Sequence, residues 1–176
     1  MLAEPGVDFE LDQLFVAAIE ETNRDNSSAA IAYLEKLLAM APQHSGSRYL
    51  LGTLYAAEGH YEQAKDQLAR AIELDPSLPE SAHYQLGLFH LIAGEWEHAR
   101  RVWKPFVHLP DDHPLALFAK GLEQLAKKNL NASLQTLTKA ITRNRDNPTL
   151  NLEIRKIIRT IQSLIVENNR SADRYV

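Results

Sequence analysis

Three evenly spaced prolines constrain this chain more than any other feature. Pro42, Pro76 and Pro110 lie 34 residues apart. Each follows an apolar stretch with helical periodicity, and a proline just past a helix end cannot continue the backbone hydrogen bonds. A fixed period of this length predicts one supersecondary unit repeated along the chain.

The stretch between Pro42 and Pro76 is the clearest unit. Residues 47–58 and residues 61–74 each carry apolar side chains at helical spacing, and Gly59 interrupts the pattern between them. Two short helical patterns separated by a glycine predict a helix, a tight turn and a second antiparallel helix.

The spacing of small and large residues in this unit resembles the tetratricopeptide repeat. The matching positions are Leu51, Gly52, Tyr55, Gly59, Tyr61, Ala64, Leu68, Ala71 and Pro76. In that family the two helices of a repeat cross closely. The resemblance therefore implies that Gly52 and Ala64 are small because the helices approach there, while Leu68 fills the adjacent space.

Three further units match less completely. The following unit keeps Gly87, Gly94 and Ala99 but has one extra residue near residues 77–79. The first unit has Asp25 where glycine is usual, and the last has Ser133 in place of the small alanine. The resemblance predicts an all-α fold, an α-solenoid of about four helix pairs with a C-terminal capping helix. The expected segments are a tail at 1–10, repeats at 11–44, 45–79, 80–113 and 114–147, a capping helix at 148–169 and a tail at 170–176.

Local chemistry predicts several helix starts and one break. Polar side chains that precede helical stretches are typical N-caps. Pro105 lies inside the second helix of the third repeat, so it should kink or split that helix. The expected caps are Ser27 or Ser28, Ser77 in a capping box with Glu80, Asp111 or Asp112, and Asn147 before Pro148.

The last helical stretch has an apolar stripe between basic and polar residues. This pattern is typical of a helix that closes the exposed end of a solenoid, and it also permits self-association through that helix. The stripe comprises Ile154, Ile157, Ile158, Ile161, Leu164 and Ile165.

The resemblance implies a binding groove lined by the first helix of each repeat. Mapped onto this sequence, the groove is aromatic and aliphatic and lacks the lysine and asparagine clamp that related co-chaperones use for carboxylates. An apolar surface of this kind needs a cover: a partner's helix or extended peptide, the chain's own residues 2–9, self-association, or burial between neighbouring helices. The candidate partner-binding residues are Phe15, Ile19, Tyr49, Thr53, Tyr84, Leu88, Leu91, Phe118, Leu122 and Leu125.

The sequence offers little support for catalysis, cofactors or metals. It has no cysteine, and no phosphate loop, nucleophile elbow or paired-carboxylate motif is present. His83 is expected in the repeat core, and the cluster from His108 to His113 is better explained by a helix cap than by a metal. We therefore expect no catalytic residues, no cofactor and no metal, and a protein that is not an enzyme.

Charge is unevenly distributed along the chain. Residues 1–119 carry 8 basic and 18 acidic side chains, whereas residues 120–176 carry 11 basic and 5 acidic ones. Aromatics are nearly absent from the basic part, which argues against a nucleic-acid surface. No secretory signal or 18-residue apolar run is present, so a cytoplasmic protein without membrane contact is expected.

Together these features predict a protein–protein interaction scaffold or adaptor that binds an apolar helix or extended peptide. One alternative is a dedicated chaperone, because the length and apolar groove resemble the small tetratricopeptide chaperones of bacterial secretion systems. Another is a homo-oligomeric structural element that assembles through the C-terminal helix.

Overall fold

The computed structural model describes residues 5–172, and all regular structure in that range is helical. Sequential helices of 13 to 14 residues dominate, as the 34-residue period predicts. The helices are α1 (Pro5–Asn23), α2 (Ser27–Met40), α3 (Ser45–Ala57), α4 (Tyr61–Leu74), α5 (Glu80–Ile92), α6 (Trp96–Val102), α7 (Pro114–Ala126), α8 (Leu130–Arg143) and α9 (Pro148–Ala172), with a 3₁₀ helix at Lys104–His108 between α6 and α7.

The chain forms two compact units, residues 1–99 and residues 100–176. In the first unit α1 packs on α2 and α3 packs on α4, while α2 contacts α3 and α4 contacts α5. In the second unit α7 packs on α8, and α8 packs on α9. Each of these helices thus packs on a neighbour in sequence within its unit, which confirms the all-α fold of the solenoid class.

Glycines allow the close helix crossings that the repeat pattern predicts. A Cβ atom at Gly52 would lie 2.8 Å from Leu68 Cγ and 3.2 Å from the Ala64 carbonyl oxygen. In the second unit, a Cβ atom at Gly121 would lie 2.6 Å from Leu137 Cγ. A side chain at either position would displace a buried leucine, so α3–α4 and α7–α8 can approach only because both positions are glycine.

The turn inside each helix pair contains one residue with a left-handed backbone. These residues are Asp25 (φ 56°), Gly59 (φ 80°), Gly94 (φ 77°) and Lys128 (φ 61°). They are separated by 34, 35 and 34 residues. The longer spacing lies between Gly59 and Gly94, and this range contains residues 77–79, where the sequence predicts one extra residue. The first and last turns carry a steric cost that glycine avoids.

Three of the four N-cap predictions are wrong. Asn26, not Ser27 or Ser28, accepts a hydrogen bond from the Ala29 amide. The N-cap of α7 is His113, not Asp111 or Asp112, because His113 Nδ1 accepts from the Leu115 amide at 3.3 Å.

The predicted capping box at α5 is also absent. Pro79 occupies the N-cap position of that helix and makes no side-chain cap bond. The Ser77 amide and hydroxyl instead donate to Asp75 Oδ1 at 2.9 and 2.6 Å, which leaves Ser77 in the preceding turn and lowers the pKa of the Asp75 carboxyl.

The cap of α9 is confirmed: Asn147 Oδ1 accepts from the Leu150 amide at 2.9 Å. The buried Asn144 side chain supports this turn by donating to Asn151 Oδ1 and accepting from the Asn147 amide. The helix then places Leu150, Ile154 and Ile161 in the core, each at most 1% exposed. The capping helix packs on α8 and buries Ile154 and Ile161 of the predicted stripe, whereas Leu164 of that stripe is 39% exposed.

Pro105 splits the second helix of the third repeat, as predicted. The α-helix ends at Val102, and a 3₁₀ helix begins at Lys104. Trp103 and Phe106 remain buried at this break, so the chain changes helix type without losing its apolar anchors.

The terminal segments differ from the expected tails. The first helix begins at Pro5, so residues 5–10 are helical rather than part of a tail. At the other end α9 continues to Ala172. The remaining tail residues, 1–4 and 173–176, lie outside the described range, as does part of the segment 2–9 considered as a cover for the groove.

Candidate functional site

Side-chain contacts connect the first helices of three successive pairs in the first unit. The Phe15 ring of α1 meets the His44 ring at the start of α3, with centroids 5.1 Å apart in an edge-to-face arrangement. The Tyr49 hydroxyl of α3 hydrogen-bonds the Ser81 hydroxyl of α5 at 2.8 Å. These contacts place α1, α3 and α5 side by side.

Six of the predicted partner-binding residues of this unit retain some exposure. Ile19 is 40% exposed, and the others are half-buried, so a partner could touch each of them without unfolding the unit. We call this set the first-helix face: Phe15, Ile19, Tyr49, Thr53, Leu88 and Leu91.

Three predicted residues lie in the core. Tyr84 is 4% exposed, Leu122 is 2% and Phe118 is 0%. Phe118 packs edge-on against Trp103 at 5.1 Å. A partner could contact these side chains only if their neighbours moved, so they support the scaffold rather than offer a surface. Leu125 is half-buried on α7 and belongs to the second unit, so it is not part of the first-helix face.

The polar groups on the first-helix face already have partners. The Thr53 hydroxyl donates to the Tyr49 carbonyl at 3.0 Å, and Tyr49 is bonded to Ser81. A ligand would therefore meet methyl and ring surface rather than unpaired donors. Such a surface recognises a partner by apolar contact and shape.

The cations of the first unit are all engaged. Arg48, the one basic residue on α3, donates to the Pro42 carbonyl and to Gln67 Oε1. Arg24 and Lys36 pair with carboxylates on α1, and Lys65 and Arg70 pair with Glu62 and Asp66. Between residues 5 and 99, no lysine or arginine is thus left to bind the carboxylate of a peptide.

The two units have opposite charge. Residues 1–99 contain 16 acidic and 5 basic side chains, a net charge of −11, and residues 100–176 contain 7 acidic and 14 basic ones, a net charge of +7. The two values sum to the −4 of the whole chain. Because the cations of the first unit are paired, its remaining carboxylates give that unit a negative field that favours basic partners.

Three histidines of the first unit are buried or in contact with other side chains. His83 is buried, as predicted. His90 Nδ1 lies 2.6 Å from Glu95 Oε2, and its ring stacks on His98 at 5.3 Å. Among residues 5–172 the side chains form no group of three that could hold a metal ion, and Asp112 pairs with Arg143 instead.

His44 contributes to this site and gave no signal in the sequence. It caps α3 by accepting from the Ser47 amide and also supports Phe15, although histidine is not a typical N-cap. Outside the first-helix face, Phe9 and Val16 of α1 are more than half exposed.

The helix pairs, the glycine crossings and the left-handed turns define an α-helical repeat protein. Residues 24–88 match the model of a tetratricopeptide repeat family. This part of the chain is therefore similar to tetratricopeptide repeats. Repeats of this family form scaffolds for protein–protein interaction.

Two curated relatives share the repeats. A tetratricopeptide repeat and J domain-containing co-chaperone, DNJ1, of Fusarium oxysporum is 27% identical over 93 residues, which is 53% of this chain and 18% of the relative. A tetratricopeptide repeat-containing thioredoxin of Arabidopsis thaliana, TTL4, is 31% identical over 78 residues, which is 44% of this chain and 11% of the relative. The chain thus spans less than a fifth of either protein.

A solved structure shares the fold over nearly the whole chain. MamA from Desulfovibrio magneticus RS-1 superposes with a TM-score of 0.64 and covers 93% of this chain and 97% of its own, at 17% identity. At that identity the likeness shows the fold. Over residues 5–172, no helix is long and apolar enough to cross a membrane.

Proposed function

We propose that this protein is a non-catalytic scaffold whose first-helix face binds an apolar helix or extended peptide of another protein, with basic residues beside the apolar ones. The observation that supports this most directly is the partly exposed apolar row on α1, α3 and α5, where the polar groups are already bonded. The cytoplasm is the compartment proposed on the sequence grounds given above.

The expected preference for apolar partners follows from the side chains of the first-helix face. Ile19, Leu88 and Leu91 present aliphatic surface, and Phe15 and Tyr49 present ring surface. An amphipathic helix that lays its apolar side along such a row gains roughly 25 cal/mol for each Å² of apolar area buried.

The expected preference for partners with basic residues follows from the negative charge of the first unit. The five cations are engaged and the unit carries a net charge of −11. Lysine or arginine beside the apolar positions of a partner would meet surplus carboxylates such as Glu80, which is exposed at the start of α5. Acidic peptides would be repelled.

A dedicated chaperone remains the alternative within the same geometry. It would hold apolar segments of a client on the same face, and the face lacks the fixed polar contacts that restrict a site to one sequence. The two functions differ in selectivity: a chaperone accepts many apolar segments, and an adaptor prefers few.

A displayed library of helical peptides samples many partner sequences at once and therefore tests the proposal directly. Enriched peptides should carry apolar residues at helical spacing with lysine or arginine beside them, and binding should weaken as salt rises. Enrichment of acidic or uniformly polar peptides would contradict the proposal. Enrichment of many different apolar peptides would favour the chaperone alternative.

Two substitutions locate the binding site. Thr53→Lys with Leu91→Lys adds charge to two first helices at partly exposed positions and should weaken an enriched peptide about 10-fold or more. The matched control is Ile92→Lys, because Ile92 follows Leu91 on α5 but is 73% exposed. Equal loss of affinity in the control would place the site elsewhere.

A further inference from the structure

The outer side of α1 carries an apolar and acidic stripe. Phe9 and Val16 are 64% and 54% exposed, and two exposed carboxylates lie between and after them at three- and four-residue steps. Residues at these steps share one face of a helix. We call this set the α1 stripe: Phe9, Asp12, Val16 and Glu20.

The outer side of α9 carries an apolar and basic stripe. Leu152 and Val166 are 59% and 47% exposed, and exposed arginines follow the same helical steps. A groove of about 530 Å³ runs along this side and is lined by Arg159, Val166 and Arg170 among others. We call this set the α9 stripe: Leu152, Arg155, Arg159, Val166 and Arg170.

The arginines of the α9 stripe are available to an outside carboxylate. Within residues 5–172, neither Arg155 nor Arg159 makes an ion pair, whereas the neighbouring Lys156 pairs with Glu153 at 2.7 Å. On α1, Asp12 likewise makes no ion pair with the described residues, and no basic residue lies within that helix.

We propose that the α9 stripe of one copy binds the α1 stripe of a second copy, so that chains associate head to tail. Both stripes offer apolar side chains for burial, and their charges are opposite. Attraction between the two units of different copies would support this association, because the net charge is −11 for residues 1–99 and +7 for residues 100–176.

The same charges disfavour symmetric pairing. Two α9 stripes face to face would bring arginines against arginines, and two α1 stripes would bring carboxylates against carboxylates, which is costly at an interface. The structure thus favours a heterologous contact, which produces open chains or closed rings rather than a simple dimer. This contact uses no residue of the first-helix face, although Asp12 of the α1 stripe and Ile19 of that face lie on the same side of α1.

Sedimentation velocity over a concentration series tests the association on the full chain. At low ionic strength the average mass should rise with protein concentration beyond that of one chain. At about 1 M salt, where the screening length is about 3 Å, association should weaken strongly. A chain that stays monomeric at all concentrations would overturn the proposal.

Charge reversal on each stripe tests the orientation. Arg155→Glu with Arg159→Glu, or Asp12→Lys with Glu20→Lys, should each weaken self-association by about 10-fold or more. The two variants mixed in equal amounts should associate again, because the reversed α9 stripe of one variant meets the reversed α1 stripe of the other with opposite charge. Loss without rescue on mixing excludes the head-to-tail contact.

Matched controls separate the stripes from net charge. Lys120→Glu with Lys139→Glu changes the charge of the second unit equally at exposed positions on α7 and α8, and Glu58→Lys with Glu73→Lys does so in the first unit. Self-association as weak in these controls as in the stripe variants would attribute the effect to overall charge and overturn the assignment. Circular dichroism verifies that each variant keeps its helical content.

Discussion

The Ser133 hydroxyl donates a buried hydrogen bond of 2.7 Å to the carbonyl oxygen of Gly121 across the crossing of α7 and α8. The equivalent crossing of α3 and α4 has Ala64 against Gly52 and needs no such bond. Both side chains at the Ser133 and Ala64 positions are completely buried. The last repeat thus accommodates a polar atom at a position that requires a small residue by giving it an acceptor on the facing helix.

Replacing Ser133 with alanine tests what this bond contributes. Ser133→Ala removes the hydroxyl and leaves the Gly121 carbonyl with its helical partner, so we expect a loss of about 0.5–1.5 kcal/mol in the free energy of unfolding. Urea denaturation measures it. Ala64→Ser is the matched control, since it adds a hydroxyl at the equivalent crossing; greater stability in Ser133→Ala than in the native chain would show that the bond does not offset the burial of the hydroxyl.

Adding one methyl group to either crossing glycine should be more costly. In Gly121→Ala the new Cβ would lie 2.6 Å from two carbon atoms of Leu137, so the leucine or the helix must shift. We expect a net loss of about 1–3 kcal/mol despite the higher helix propensity of alanine, and a similar loss for Gly52→Ala.

Gly46→Ala is the control for that pair. It adds the same methyl group in the first turn of α3, where the nearest atoms, in His44 and Phe15, would lie 3.4 Å away. We expect a change within about 0.5 kcal/mol. Equal losses at Gly46 and Gly121 would mean that helix approach does not require glycine at the crossing.

The sequence predicted the fold correctly at positions where glycine or proline is present for a single physical reason. Gly52 marks a crossing because a Cβ atom there would meet Leu68, and Gly59 marks a turn because glycine adopts a positive φ without steric cost. Pro105 breaks α6 because it lacks an amide hydrogen. These features depend on the backbone within one repeat, so periodic sequence is sufficient to locate them.

Helix caps were less predictable because polar residues cluster before helices. Asn26, Ser27 and Ser28 are all competent caps, as are Asp111 and Asp112. The cap is whichever residue directly precedes the first turn, and packing of the helix sets that register. Sequence preference alone therefore selects a neighbourhood rather than a residue.

Burial at the candidate site was the least predictable property. Phe15, Tyr49, Tyr84 and Phe118 occupy the same repeat position, yet Phe15 and Tyr49 are half-buried while Tyr84 and Phe118 are in the core. Phe118 is covered in part by Trp103, which directly precedes the 3₁₀ helix that contains Pro105. Exposure at equivalent positions depends on contacts beyond the repeat that carries them.

Exchanging the residue type at two of the left-handed turns should change stability in opposite directions. Gly94→Ala introduces a Cβ atom at φ 77°, with no neighbouring atom within 4 Å, so the expected loss of about 1–2 kcal/mol comes from backbone strain alone. Lys128→Gly relieves strain at φ 61° and should stabilise the chain by up to about 1 kcal/mol, reduced by the greater freedom of glycine in the unfolded chain. Thermal unfolding compares both; a destabilised Lys128→Gly chain would show that the lysine makes a contact that outweighs the strain.

The hydrogen bond between His90 and Glu95 predicts a pH dependence of stability. The hydrogen bond from His90 lowers the pKa of the Glu95 carboxyl below its usual 4.5, and the charges of Lys65 and the nearby histidines act in the same direction. A lowered folded-state pKa contributes stability that is complete above pH 4.5 and is lost as the pH falls through the lower folded value. Glu95 precedes α6 and its carbonyl accepts from the Ala99 amide, so the loss should begin at the turn between α5 and α6.

Glu95→Gln removes the titrating group while keeping its size. The variant should be less stable than the native chain near pH 6, and the difference between the two melting temperatures should shrink as the pH is lowered below about 4.5. Glu73→Gln is the control, because it removes an exposed carboxylate on α4. A constant difference between Glu95→Gln and the native chain from about pH 3 to about pH 6 would mean that the carboxylate charge contributes nothing through His90.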